Sequence, residues 1–159
     1  MPAHYRLLAV TTAAVVAADQ LTKLWVTQTM RLGASRPLIE GLLNLTHVRN
    51  RGVAFGMLSQ QGLSAAVLIA VSLTALLLIL YFLRQVSGRE RLLSVALSLI
   101  FAGAVGNLLD RLRLGEVVDF LDVYVGAHHW PAFNVADAAI TAGGVLLAIN
   151  LLRPRGEGA

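Results

Sequence analysis

Asp119 lies in the apolar run Val117-Val118-Asp119-Phe120, and Asp137 is flanked by Val135, Ala136, Ala138 and Ala139. Neither has a basic neighbour in sequence. A carboxylate in an apolar setting resists ionisation, and two such groups held together share one proton because the second negative charge is repelled by the first. That arrangement can activate water: the ionised member takes its proton while the protonated member polarises a carbonyl.

The remaining polar residues in apolar stretches group by spacing. Asp19 and Lys23 are four apart; Gly103, Gly106, Asn107 and Asp110 form one helical stripe, and Asn134, Asp137, Thr141 and Gly144 another. Residues three and four apart stack on one helix face. Turned inward, the three stripes make a shared polar pocket, and the glycines of the second let a neighbouring helix approach closely. Ionisable groups within a membrane mark either function or a paired structural contact. Asp19 with Lys23, or Asp110 with Arg111 or Arg113, therefore also reads as a structural ion pair, and Asn107 and Asn134 as interhelical hydrogen-bond donors and acceptors.

Other chemistries find less support. His4, His47, His128 and His129 make no metal-binding helix pattern, so no metal is expected and chelators should leave activity intact. The absence of cysteine removes disulfides, thiolate ligands and thiol nucleophiles. A Ser-Lys pair would have to use Lys23, the single lysine, and Gly103-Ala104-Val105-Gly106 falls in an apolar run rather than in a phosphate-binding loop. No organic cofactor is implied.

The elements that must position these groups are membrane spans. Of the 159 residues 57% are hydrophobic and only 14% charged, against about 25% charged in a soluble domain. Four runs reach the roughly 20 apolar residues a bilayer requires, near 7–27, 63–83, 92–109 and 132–152. The first continues into Asp19, Gln20 and Lys23 with no small-residue cleavage site before them, and reads as a retained helix. The expectation is an all-α polytopic membrane protein, a single domain over 1–159, built as a four-transmembrane-helix bundle.

Loops 28–62 and 110–131 lie on the face opposite the termini. Within 37–57, Leu43, Leu45 and His47 alternate with Asn44, Thr46 and Val48, which predicts short strands and a small extramembrane β-sheet on the outer face. Arginines divide evenly between the two faces. The short connection carrying Arg84, Arg89 and Arg91 is the better orientation signal and favours cytoplasmic termini. With clusters of arginine beside apolar runs, the formal charge of +4 suits anionic membrane lipids rather than nucleic acid.

Five segments together resemble one family. Asp19-Gln20-Leu21-Thr22-Lys23 looks like its D-Q-x-[ST]-K box, Asn50-Arg51-Gly52-Val53-Ala54-Phe55 its N-x-G-x-A-F box, and Gly103-Ala104-Val105-Gly106-Asn107-Leu108-Leu109-Asp110-Arg111 its G-x-x-G-N-x-x-D-R box. Val117-Val118-Asp119-Phe120 and Phe133-Asn134-Val135-Ala136-Asp137 follow in order. The family is the bacterial lipoprotein signal peptidases, or signal peptidase II. Ala102 stands where the family often has a glycine, a departure that touches helix packing and not chemistry.

The resemblance implies an aspartic endopeptidase of the bacterial cytoplasmic membrane, with cytoplasmic termini and an active site toward the outer face. Its substrate would be a diacylglyceryl-modified prolipoprotein, cut on the N-terminal side of the lipidated cysteine. Asp119 and Asp137 would be catalytic, with Asn50, Asn107, Asn134, Arg111, Asp110, Asp19 and Lys23 supporting them. From the residues alone, a small ion-coupled transporter using Asp19 and Asp137 is the alternative; the gathering of polar groups toward one face speaks against it.

Overall fold

The computed structural model of the chain describes residues 2–52, 65–86 and 90–153. Val53, Ala54 and Phe55 of the second box, Arg89, Arg155 and the expected start of the second helix at 63 lie outside the described residues. Four helices are long and apolar enough to cross a membrane: α1 (Ala3–Thr29), α2 (Ala65–Gln85), α3 (Arg91–Leu114) and α4 (Val135–Leu152). A four-stranded antiparallel sheet sits at one end of the bundle, with β1 (Ser35–Ile39), β2 (Leu43–Asn50), β3 (Val117–Val125) and β4 (His128–His129) in spatial order β1-β2-β3-β4.

The central element is α3, which packs against α1, α2 and α4. Half of its apolar window is buried, against 11% for α2, whose Leu73, Leu77, Leu78 and Phe82 point outward. Outward-facing leucines on a long helix are matched to hydrocarbon, so the contacts between helices must come from close backbone approach instead. Gly103 and Gly143 provide it. A Cβ on Gly103 would meet the Ala136 carbonyl oxygen and Ile140, and one on Gly143 would meet the Ala96 carbonyl oxygen at 2.7 Å. The face that α4 turns to α3 is thus Ala136, Ala139 and Gly143.

This corrects the expected stripe of Asn134, Asp137, Thr141 and Gly144. Thr141 and Gly144 are exposed, and nothing lies within 4 Å of a Cβ on Gly144. Gly103→Ala is accordingly expected to destabilise the protein by about 1–3 kcal/mol through overpacking. Gly144→Ala should stay within about 0.5 kcal/mol of wild type. Melting of the two variants in the same detergent checks the contrast.

Two apolar clusters bracket a polar layer. Leu8, Ile79, Leu83, Val86 and Leu97 fill the end away from the sheet, while Val26, Met30, Leu45 and Phe120 join the end of α1 to the sheet. The buried positions of α1 are Leu8, Asp19, Lys23 and Val26, so its polar pair lies between the clusters.

The stretch expected as a loop over 110–131 differs from that reading. α3 continues to Leu114 and stops where Gly115, at φ 73°, donates its N–H to the Arg111 carbonyl at 3.0 Å. Left-handed backbone at that position suits glycine. Val117–Val125 then forms β3 against β2, in register Val48↔Asp119 and Asn50↔Val117. Its first four residues are buried, so it carries no alternating pattern by which a strand is read from sequence. Phe133 pairs with Leu121 as an isolated bridge, which brings the chain back to β3 immediately before α4 begins.

Candidate active site

The strand β3 delivers Asp119 to the buried side of the sheet, and the bridge at Phe133 delivers Asn134 beside it. Asn134 is the N-cap of α4: its Oδ1 accepts from Asp137 N–H at 2.9 Å, while its own N–H donates to Asp137 Oδ2 at 3.2 Å. This reciprocal capping satisfies end-of-helix donors and sets the Asp137 carboxylate at the helix N-terminus, where negative charge is favoured. The Nδ2 of Asn134 donates to Asp119 Oδ1 at 2.7 Å, to Asn107 Oδ1 at 3.2 Å and to Val118 O at 3.3 Å. One fully buried amide therefore touches both aspartates.

Two more asparagines complete the surround. Asn107 Nδ2 donates to Asp137 Oδ1 at 2.7 Å, and Asn50 Nδ2 donates to Asp119 Oδ2 at 3.0 Å. Asn50 sits two residues beyond Val48, the cross-strand partner of Asp119, and so lies diagonally on the same face. Its Oδ1 accepts from Gly52 N–H at 2.8 Å, which aims the amide. Gly52 has φ 97°, and a Cβ there would run into Leu68 of α2, so the N-x-G spacing answers two needs at once.

Among the described residues each of the four carboxylate oxygens of Asp119 and Asp137 thus has a single protein donor, leaving acceptor capacity for a water or a shared proton. Asp119 is only 2% exposed, whereas Asp137 is half-buried. Burial pushes the Asp119 carboxyl up to about 6; the Asn50 bond opposes this, and the Asp137 charge adds to it. The Asp119 proton is therefore held above the ordinary carboxylate range.

Beneath this pair lies a buried ionic cluster. Lys23 Nζ contacts Asp19 Oδ2 at 2.8 Å, Asp110 Oδ2 at 2.9 Å and Asn107 Oδ1 at 3.2 Å. Asp19 Oδ1 accepts from Ala136 N–H at 2.9 Å, and Asp110 Oδ2 accepts from Val118 N–H at 3.1 Å. The expected pairing of Asp19 with Lys23 is present. The expected pairing of Asp110 with Arg111 or Arg113 is not: Asp110 pairs with Lys23, since a neighbour one position along a helix points about 100° away. Arg113 donates instead to Gln20 Oε1, and the Nε of Arg111 is buried without a hydrogen-bond partner among the described residues. Of the nine residues singled out from sequence, eight join one network and Arg111 stands outside it.

Gln20 was not among those nine, yet its Nε2 donates to Asp19 Oδ2 at 3.1 Å and to Asp110 Oδ1 at 2.9 Å. Its place in the Asp19 box was the available signal; side-chain direction alone could not reveal that it bridges to α3. Among the described residues no group of three or more His, Cys, Asp or Glu is arranged to hold a metal ion.

The profile of the family described as Signal peptidase (SPase) II matches residues 11–153. A lipoprotein signal peptidase of Geobacter metallireducens is 49% identical over 96% of this chain and 94% of its own length. One of Geobacter sulfurreducens is 46% identical over 96% of each. Two solved structures, described as bacterial membrane enzymes determined by the in meso method, are also similar. The first has a TM-score of 0.84 at 35% identity, covering 96% of this chain and 93% of the other. The second has 0.82 at 37% identity, covering 92% and 93%.

Proposed function

The chain belongs to the signal peptidase II family, and from that membership we propose that it cleaves diacylglyceryl-modified prolipoproteins by aspartate catalysis, on the N-terminal side of the lipidated cysteine. It is a multi-pass membrane peptidase; the aspartic mechanism and the position of the cut are the proposal. The observation that carries it is the single Asn134 side chain hydrogen-bonded to both Asp119 and Asp137.

In this reading a water sits between the two carboxyl groups. The ionised aspartate takes a proton as the water oxygen attacks the scissile carbonyl, and the protonated one donates a hydrogen bond to the carbonyl oxygen. Collapse of the tetrahedral intermediate breaks the C–N bond, and the proton gained from water passes to the leaving amine. Asn50, Asn107 and Asn134 hold the carboxylates in place. Asp19, Lys23 and Asp110 support them from below, and Arg111, outside that network, is left to meet substrate. The substrate's lipid chains remain in the bilayer beside outward-facing helices, and its signal helix runs along the bundle. The short connection near Arg84 and Arg91 supports cytoplasmic termini in the bacterial inner membrane, which puts the sheet and the dyad toward the outer face. The protein's partners are then this lipid-modified substrate and membrane lipids.

Incubation of the purified chain with a diacylglyceryl prolipoprotein peptide is expected to release the signal peptide; an intact, bound substrate would refute the proposal. The pH dependence has a defined sign. The Asp119 carboxyl is raised to about 6, and the mechanism needs one proton on the pair, so kcat/KM should fall as pH rises through about 6. A kcat/KM flat from about pH 5 to about pH 8 would remove the shared proton.

A further inference from the structure

The amide hydrogens that the two buried carboxylates accept belong to particular residues. Asp110 takes the N–H of Val118, the residue before Asp119, and Asp19 takes the N–H of Ala136, the residue before Asp137. Both carboxylates are bound to the same ammonium, Lys23 Nζ, at 2.9 Å and 2.8 Å. We infer that Lys23 is a positioning residue: by drawing Asp19 and Asp110 onto one charge it ties the backbone on either side and sets the separation and alignment of Asp119 and Asp137. The inference rests on the dyad reading above and concerns how the dyad is held.

The bonding around Lys23 is complete. Its three hydrogens meet Asp19, Asp110 and Asn107, and Gln20 Nε2 supplies further donors to both carboxylates. Lys23 also decides the orientation of Asn107. With Lys23 and Asn134 both donating to it, the oxygen of that amide must face them, so its NH2 must face Asp137. A buried cluster of this kind holds its geometry because any displacement strands a charge without a partner. Asp19 and Asp110 belong to α1 and α3, while the groups they grip belong to α4 and β3, so the cluster braces from below the two elements that Phe133 and Asn134 already join directly.

A cluster that only stabilised the fold would change melting and leave the chemistry of folded molecules alone. A positioning cluster changes the chemistry. Misplacing reacting groups by about 1 Å costs on the order of 100-fold in rate, with binding spared. The charged groups around Asp119 are Asp137 on α4, Lys23 and Asp19 on α1, and Asp110 on α3. Burial sets the Asp119 carboxyl high and the Lys23 charge is among the influences that bring it down. Loss of that charge therefore moves the descending limb of the kcat/KM profile to higher pH.

The test uses the full chain in detergent with a diacylglyceryl prolipoprotein peptide. Lys23→Met should lower kcat about 100-fold, leave KM within about threefold, and shift the descending limb upward. Should Lys23→Met fail to fold, Lys23→Met combined with Asp19→Asn keeps the cluster's formal charge and an acceptor for Ala136 N–H. That variant, once it melts cooperatively, should display the same split between kcat and KM. Wild-type kcat in either folded variant, a loss carried by KM, or an unmoved limb in Lys23→Met overturns the inference. Asp119→Asn assayed alongside separates the two ideas: inactive beside Lys23 variants of normal rate, it leaves the dyad standing and removes only the positioning role; active, it removes both.

Discussion

Cleavage by Asp119→Asn and by Asp137→Asn is expected to fall at least about 1000-fold, in protein that still inserts and melts cooperatively. The substitution keeps the shape of the side chain and removes its ability to exchange a proton. It also creates a conflict at position 119, where Asn50 and Asn134 both donate to the present carboxylate: an amide there offers one oxygen to two donors. In the proposed mechanism the carboxyls share one proton and neither acts alone, so the double variant should be no slower than the worse of the singles. Steady-state cleavage of a lipidated peptide, with melting as the control for folding, decides it. Near-normal turnover in either single variant would end the dyad interpretation.

Asn134→Ala should lose about 100-fold in kcat and about 1 kcal/mol of stability. The two effects have separate origins in one side chain. Its Oδ1 caps α4 by accepting from Asp137 N–H, and its Nδ2 orients Asp119. Asn134→Ser separates them, since serine is as good an N-cap as asparagine, adds no charge, and is too short to donate to Asp119. Its melting should remain near wild type while its activity stays low. An active Asn134→Ser would mean that the donor to Asp119 is dispensable; one destabilised as much as Asn134→Ala would mean that the cap is not the main structural role.

These effects trace to the same economy of space. Three asparagines and a helix N-terminus surround two carboxylates in a layer between two apolar clusters, and each amide carries two tasks. The ionic cluster below it is anchored through backbone N–H groups, a kind of contact with no residue-type signature. The Arg49–Glu116 and Arg51–Glu116 pairs, at 3.2 Å each, tie the end of β2 and the residue after it to the residue before β3; a pair with an exposed member such as Arg51 contributes about 0–1 kcal/mol.

What the amino-acid order determined by itself is what depends on local composition and period. Four apolar runs made four spanning helices, because a helix is the way a single segment satisfies its backbone in lipid. The alternation around Leu43 and His47 made β2, and the i, i+4 spacing of Asp19 and Lys23 made their ion pair. The ordered boxes identified the family. Which distant groups meet was settled by how the helices and strands pack together. β3 is buried and so lacks a strand's alternation, Asp110 chooses Lys23 over its neighbour Arg111, Gly143 rather than Gly144 faces α3, and Gln20 bridges two helices. Each of these depends on helix rotation and on the direction of approach between segments far apart in the chain. Residue type and spacing carry no record of that, because it is set by the packing of the whole bundle.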